Sequence, residues 1–160
     1  MTLAPRVVVV RRRSEYDELV ARHGTRQQAA FFLRTRGRDL RELEDRHEAL
    51  REALRIAEAG VPTDWRRAEL ERDDLARFVF GPEDVVVVVG QDGLVANVAK
   101  YLDGQPVVGI DPDPGRNPGV LVPHPAAAAA DLVRDAAHGR AKTNLRTMVE
   151  AVTDDGLGLL

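Results

Sequence analysis

Residues 85–101 read VVVVVGQDGLVANVAKY, and this stretch decides the fold class. The five consecutive valines, Val85–Val89, are β-branched and apolar on both faces, which is typical of a strand buried in a parallel sheet. A tight turn, Gly90–Gly93, follows directly, and Leu94–Leu102 is predicted to form a short helix. A strand that passes through a turn into a helix is the repeating unit of an α/β protein.

Other apolar runs extend this pattern on both sides. Val7–Val10 and Val107–Ile110 predict further buried strands, and Val120–Val122 predicts a short one. Ala126–Ala137 predicts a helix that ends at Gly139. We therefore expect an α/β fold with a Rossmann-like open parallel sheet.

A long helical insertion is predicted after the first strand, in a helix-rich region at 14–80. Ser14 is predicted to cap a helix that stops at Gly24, Thr25 begins a second helical stretch, and Asp39–Ala59 forms a third. A fourth helix is predicted to start at residue 63 or 64 and to continue to Phe78.

One face of the third helix carries an apolar seam. Its members follow one another at alternating spacings of three and four, and they are Leu40, Leu43, His47, Leu50 and Leu54. This spacing places them along one stripe of a helix. We expect the seam to be buried, either against neighbouring helices of the same chain or in a dimer interface.

The last residues predict a different kind of structure. Met148–Val152 alternates like a half-buried strand, and Asp155-Gly156 is a hairpin turn signal. We therefore expect an α/β domain at 1–145. The stretch 146–160 is expected to form the first antiparallel hairpin of a C-terminal domain. The remainder of that expected domain is missing from the sequence.

Composition excludes several classes of protein. The 23 basic and 26 acidic side chains give a net charge of −3, which disfavours a strongly basic nucleic-acid binder. No apolar run is long enough to cross a membrane, and the amino terminus leads into the first strand without a secretory signal. Cysteine is absent, which removes disulfides, thiolate catalysis and cysteine-type zinc sites. The four histidines share no metal-ligand spacing, so no protein-held metal is predicted. With neither a secretory signal nor cysteine, a cytoplasmic location fits best.

The turn at 90–93 is the strongest candidate site. Ligands of open α/β sheets bind beyond the carboxyl ends of the strands, and a helix that begins there favours an anion. Gly93 leaves the backbone N–H groups unobstructed. The carboxylate of Asp92 would repel a phosphate unless a divalent cation or a hydroxyl proton lies between them, and both belong to phosphoryl transfer to an alcohol. The alternative is that Asp92 only caps the helix.

Three segments together resemble the NAD kinase family. That family has G-G-D-G-T after a β-branched strand, then G-I-N at the end of the next strand, then G-F-L. Here the first motif stands as residues 90–94, GQDGL, the second as Gly109-Ile110-Asp111 and the third as Gly119-Val120-Leu121. The resemblance covers about residues 84–125. Gln91 and Leu94 depart from the pattern, and the replacement of threonine by Leu94 removes a hydroxyl near the phosphate.

The resemblance implies transfer of the γ-phosphate of ATP to the 2′-hydroxyl of NAD, with Mg²⁺ required. It implies that Asp92 is the catalytic residue, which accepts or orients the proton of that hydroxyl. The nucleotide-binding residues would be Gly90, Gln91, Gly93, Leu94 and Asn97. The family's later motifs are not found in this sequence, so we expect the 160-residue chain to have little activity alone.

Two other functions remain open at this point. Diacylglycerol, sphingosine and 6-phosphofructo kinases share a G-G-D-G turn, so the acceptor could be a lipid or a sugar. The chain could instead be a non-catalytic interaction module that dimerises through its helical half. In either kinase interpretation the partners are small-molecule nucleotides, and we expect a homo-oligomer that binds neither nucleic acid nor membrane.

Overall fold

The computed structural model describes residues 4–116, 118–154, 156, 158 and 159. Its strands are β1 (Arg6–Arg11), β2 (Arg66–Glu71), β3 (Asp84–Val89), β4 (Val107–Asp111), β5 (His124–Pro125), β6 (Ala151–Val152) and β7 (Gly158–Leu159). Its α-helices are α1 (Glu15–His23), α2 (Arg26–Arg34), α3 (Leu40–Ala59), α4 (Asp92–Ala99) and α5 (Ala129–Ala137). Two short 3₁₀ helices span Arg72–Arg77 and Ala126–Ala128.

The first five strands form one parallel sheet in the order β2-β1-β3-β4-β5. The valine runs build its centre, because Val8 of β1 pairs with Val86 of β3, which in turn pairs with Val107 of β4. Every residue of β3 is buried. The predicted Rossmann-like open α/β fold and its three valine-rich strands are therefore confirmed.

Helices cover both faces of the sheet. On one face the second half of α3 and α5 pack through Leu54, Ala57 and Val133. On the other face α4 and the 3₁₀ helix Arg72–Arg77 pack through residues such as Leu75 and Val98. This double covering explains why the central strands are apolar on both faces.

The helices α1, α2 and the first half of α3 form a helical unit with a small core of its own. The side chains of Ser14 and Thr25 accept hydrogen bonds from backbone N–H groups in the first turns of α1 and α2, and Asp39 caps α3 in the same way. The core residues of the unit are Leu19, Ala29, Leu33, Leu40 and Leu43. The three predicted helices of this region are confirmed.

The predicted seam is buried within the chain at Leu40, Leu43 and Leu54, whereas His47 and Leu50 are partly exposed. Leu40 and Leu43 lie in the core of the helical unit, whereas Leu54 lies in the core under the sheet and Leu50 packs against that second core. Helix α3 therefore belongs to two cores, and the leucines of its seam are covered without a second copy of the chain.

The prediction of a fourth helix is wrong. Residues 66–71 form the edge strand β2, parallel to β1, and only the 3₁₀ helix Arg72–Arg77 follows. The stretch RRAELE consists largely of good helix formers, but pairing with β1 decides its structure. Its apolar residues Ala68 and Leu70 face the core, and its charged residues stay at the water-exposed edge.

Two predicted strands also differ. The segment Val120–Val122 is a loop, because its backbone N–H groups bond to a carboxylate instead of a neighbouring strand. Among the described residues near the end of the chain, Ala151–Val152 pairs with Gly158–Leu159, antiparallel as predicted. Met148 and Val149 are not in a strand, and Val152 is largely exposed, so the prediction of a half-buried strand is wrong. Asp155 of the predicted turn lies outside the described residues.

A buried ion pair joins β1 to β3 at their amino ends. Asp84 is 1% exposed, and its carboxylate accepts hydrogen bonds from Arg6 Nε at 2.7 Å and from the backbone N–H of Gly81 at 2.7 Å. The hydrogen bond to Asp84 is the main cause that raises the pKa of the Arg6 guanidinium. This pair lies at the end of the sheet opposite the turn at 90–93.

None of the helices within the described residues is both long enough and apolar enough to cross a membrane.

Candidate functional site

The strand order creates a crevice at the carboxyl edge of the sheet. The chain moves from β1 outward to β2, then returns to place β3 on the other side of β1. The connection after β1 covers one face and α4, after β3, covers the other. Such a switch point is where open α/β sheets bind their ligands.

The turn at 90–93 lies at this edge and leads into α4. The helix begins at Asp92, two residues earlier than predicted, and Gln91 is the capping residue, without a hydrogen bond from its side chain. A Cβ on Gly93 would meet no atom within 4 Å, so a ligand can approach the backbone here. Asn97 lies one turn further along, and its Nδ2 donates to the carbonyl of Gly93 at 3.1 Å.

The carboxylate of Asp92 binds the loop that precedes β5. Its Oδ2 accepts the N–H of Val120 at 2.9 Å, and its Oδ1 accepts those of Leu121 and Val122 at 2.8 and 3.2 Å. These hydrogen bonds, that of Val120 first, lower the pKa of the Asp92 carboxyl, although desolvation opposes them. Asp92 therefore fixes a loop and does not act as an N-cap.

Two glycines allow this loop to lie directly on the sheet. A Cβ on Gly109 in β4 would stand 1.9 Å from the carbonyl oxygen of Leu121. A Cβ on Gly119 would stand 2.6 Å from Oδ1 of Asp92. The N–H of Gly90 also donates to the carbonyl of Ile110 at 3.0 Å. The three segments of the resemblance thus contact one another, and Gly109 and Gly119 are required by this close approach.

A cavity of about 490 Å³ opens beside the turn. All five residues predicted to bind a nucleotide line it: Gly90, Gln91, Gly93, Leu94 and Asn97. Asp92, predicted to be catalytic, is not among the described residues that line the cavity, because its side chain is turned to the loop. Asp111, the last residue of β4, and Asp113, which follows the strand, add carboxylates to the wall.

Sequence reasoning missed the opposite wall. Leu43, Arg46 and Leu50 of α3 line it, and so does Arg72, the first residue after β2. A helix more than thirty residues away in sequence gives no local signal of a site. Arg72 follows a strand at the carboxyl edge, which is a signal of a site. That signal was hidden because β2 was predicted to be part of a helix.

Five arginines line the cavity, and they are Arg12, Arg13, Arg46, Arg72 and Arg116. Three consecutive arginines, at 11–13, stand at the end of β1. Arg11 and Arg13 both pair with Glu71, at 3.0 and 3.2 Å. The abundance of guanidinium groups favours an anionic ligand, because arginine binds phosphate and carboxylate groups through paired N–H donors.

A hydrogen bond joins α3 to the turn after β1. Ser14, which lines the cavity, lies 2.8 Å from Nδ1 of His47 on α3, and it also donates to the carboxylate of Asp17 at 3.0 Å. The ring of Tyr16 lies beside that of His47, with centroids 5.0 Å apart. These contacts fix α3 against the turn after β1.

The described residues contain no group of three His, Cys, Asp or Glu side chains that could hold a metal ion. A divalent cation here would depend on oxygen atoms of a bound phosphate in addition to those of the protein, as Mg²⁺ does in many nucleotide sites.

No protein-family model matches the chain, and no curated protein matches it significantly.

Proposed function

We propose that this chain is the nucleotide-binding α/β domain of an NAD kinase-type phosphotransferase, which transfers the γ-phosphate of ATP to the 2′-hydroxyl of NAD. The observation that carries the proposal is the contact between the three segments of the resemblance. The turn at 90–94, the end of β4 and the loop at 119–121 contact one another, and the turn and Asp111 at the end of β4 line the cavity.

The start of α4 supports binding of a phosphate at this place. Partial positive charge at a helix N-terminus and the open backbone at Gly93 both favour an anion. Arg116, which follows β4, also lines the cavity, and its partner Asp113 at 3.2 Å is about as exposed as Arg116 itself. An exposed pair of this kind contributes little to stability, so a ligand phosphate can replace it.

Asp92 has a defined part in this proposal. Three of the roughly four lone-pair positions of its carboxylate are occupied by backbone N–H groups. Its lowered pKa makes it a weak base. Because this side chain faces the loop and does not line the cavity, the proposed role of Asp92 is to hold the loop at 120–122 against the start of α4 and so to position the phosphate-binding turn.

Magnesium enters this proposal as part of the substrate, bound to the phosphates of ATP. When bound, the ion neutralises charge that develops on the transferred phosphoryl group. The protein's own contribution is to place the phosphates at the start of α4 and to exclude water with the leucines of α3.

Calorimetric titration with ATP and with NAD tests the proposal. We expect both to bind the unmodified chain, and we expect Gly93→Val to weaken ATP binding at least about tenfold, because a side chain would stand where the phosphate lies. Ala96→Val is the matched control, because Ala96 is an exposed residue of the same helix that does not line the cavity.

The acceptor is tested by competition. Displacement of labelled NAD by excess unlabelled NAD, but not by diacylglycerol or fructose 6-phosphate, would support the dinucleotide acceptor. Displacement by the lipid or by the sugar phosphate would favour one of the related kinases. Absence of binding by both ATP and NAD would overturn the proposal as a whole.

A cytoplasmic location and self-association stay predictions. The leucine seam is covered within the chain, so an interface between copies would have to use other surfaces. Exposed apolar side chains near the end of the chain, Leu145 and Val149, are available to such an interface.

A further inference from the structure

We propose that Arg12, Arg46 and Arg72 form a second anion subsite, which binds a phosphate group other than the one at the start of α4. The inference rests on the proposed function, since it concerns the same cavity. It assigns ligand binding to the helical unit and to β2, which lie outside the stretch that resembles NAD kinases. All three arginines line the cavity, although they come from three separate parts of the chain.

Contacts around the turn after β1 bring together the three backbone segments that carry these arginines. Ser14 ends this turn and bonds to His47, the neighbour of Arg46 on α3. On the other side Glu71, the neighbour of Arg72, pairs with Arg11 and Arg13. The turn that carries Arg12 is therefore held between α3 and the end of β2.

The charges of this group favour an anion. Arg72 has no ion-pair partner among the residues that the structure describes. Arg12 lies 3.6 Å from Glu18 and Arg46 lies 2.5 Å from Glu42, and all four side chains are more than two-fifths exposed. Pairs this exposed are weak, so a phosphate competes with them effectively.

The carboxylates in this part of the wall do not cancel the positive charge. Glu15 lines the cavity, but it is paired with Arg38 at 3.1 Å. Glu18 is the partner of Arg12. Among the described residues, Arg72 therefore keeps its positive charge unpaired toward the cavity, and Arg46 is balanced only by the exposed carboxylate of Glu42.

The geometry of the sheet separates the two subsites. The turn at 90–93 follows β3 and Arg72 follows β2, with β1 between them. Two strand spacings amount to about 10 Å. An arginine side chain covers part of this distance, so a chain of two or more phosphates reaches both subsites, whereas a single phosphate reaches one. The ligand class is thus a nucleotide with at least a diphosphate.

Comparison of ADP with AMP tests this inference, using the full chain and calorimetry. We expect the unmodified chain to bind ADP at least about tenfold more tightly than AMP, because charged hydrogen bonds to a second phosphate are gained. In the double variant Arg46→Ala/Arg72→Ala this preference should fall to less than about threefold, with AMP affinity nearly unchanged.

The matched control is Arg55→Ala/Arg77→Ala. Arg55 lies on α3, and Arg77 ends the 3₁₀ helix that Arg72 begins; neither lines the cavity. The control should keep the preference for ADP, and melting curves should show that both double variants are folded. Unchanged ADP affinity in Arg46→Ala/Arg72→Ala, an equal loss for AMP and ADP, or an equal loss in the control would each overturn the inference. Failure of the unmodified chain to bind either nucleotide would overturn the proposed function as well.

Discussion

Asp92 connects the start of a helix to a loop almost thirty residues further along the chain. Each of its three hydrogen bonds comes from a backbone N–H group, so the bonds depend on the negative charge of one side chain and not on the side chains of the loop. Replacement by asparagine retains the size of the side chain and removes the charge.

We expect Asp92→Asn to reduce the free energy of unfolding by about 1 kcal/mol at neutral pH, because charged hydrogen bonds weaken and the amide NH₂ faces donors. The pKa of the Asp92 carboxyl is lower in the folded chain, chiefly through the N–H of Val120. Its contribution is therefore present above the unfolded pKa and is lost as the pH falls through the folded value. Urea denaturation across a pH series should show the two proteins converging below about pH 4.

Asp103→Asn is the control for this experiment, because Asp103 lies exposed in the turn after α4. It should differ little from the unmodified protein at every pH. A difference between Asp92→Asn and the unmodified chain that stays constant down to pH 2 would show that the carboxylate charge does not stabilise the loop.

Substitution by alanine at two glycines should change the free energy of unfolding by very different amounts. Gly109→Ala should destabilise the protein by about 3 kcal/mol, since the new Cβ would collide with the backbone of Leu121. Gly93→Ala should change the free energy of unfolding by less than about 1 kcal/mol, because its Cβ meets open space in a helix. Thermal melts of the two variants check this directly, and equal melting temperatures would contradict the packing described for β4.

At the level of elements, α3 is the link between the helical unit and the sheet. The unit's own core is small, so α1 and α2 should open more easily than the sheet. We expect Leu33→Ala, a change at a residue 2% exposed, to cost about 2–4 kcal/mol locally. Hydrogen exchange should rise in α1, α2 and the first half of α3 while β1, β3 and β4 stay protected. A rise of equal size in the central strands would show that the unit and the sheet unfold together.

The ion pair between β1 and β3 predicts a larger effect. Asp84→Ala should cost about 3 kcal/mol or more, because it leaves Arg6 without its partner and the N–H of Gly81 without its acceptor. Glu83→Ala, next in sequence and exposed, removes the pair with Arg66 and a weaker charge near Arg6, and should change stability little. Chemical denaturation of the two variants measures the difference, and similar midpoints would contradict the structural importance of the buried pair.

The sheet centre was predictable, and its edge was not. Consecutive valines indicate a strand that is covered on both faces, because every side chain is too apolar for a water-exposed face. Such runs are Val7–Val10 and Val85–Val89. In Arg66–Glu71, side-chain preference and tertiary pairing point to different structures, and the pairing with β1 depends on residues sixty positions away. Local sequence does not contain that information.

The same division applies to the candidate site. The wall formed by the turn at 90–93 and α4 was predictable from one continuous stretch of sequence. The wall formed by Arg46 and Leu50 depends on how α3 crosses the sheet, which no spacing within the helix specifies. The bonding of Asp92 to Val120 could not be predicted either, since it requires the loop to lie over Gly109.

For the molecule as a whole, the distribution of charge matters more than its sum. The net charge is −3, yet five arginines and only four carboxylates of the described residues line the cavity, which leaves its wall slightly positive. We expect the affinity for ADP to fall several-fold between 50 and 300 mM KCl, because mobile ions screen the arginines. Calorimetry at a series of salt concentrations measures this. Affinity that does not vary with salt would show that apolar contacts, and not charge, dominate binding.

The absence of a side chain at Gly109 has a mechanical consequence. Where a loop rests on side chains, a change of rotamer absorbs small movements, but here the carbonyl of Leu121 rests on the strand backbone itself. With Asp92 fastened to the same loop, the first turn of α4, the end of β4 and the segment before β5 must shift as one rigid piece. A displacement of the first turn of α4 should therefore also displace His124 and, through it, α5 on the opposite face of the sheet.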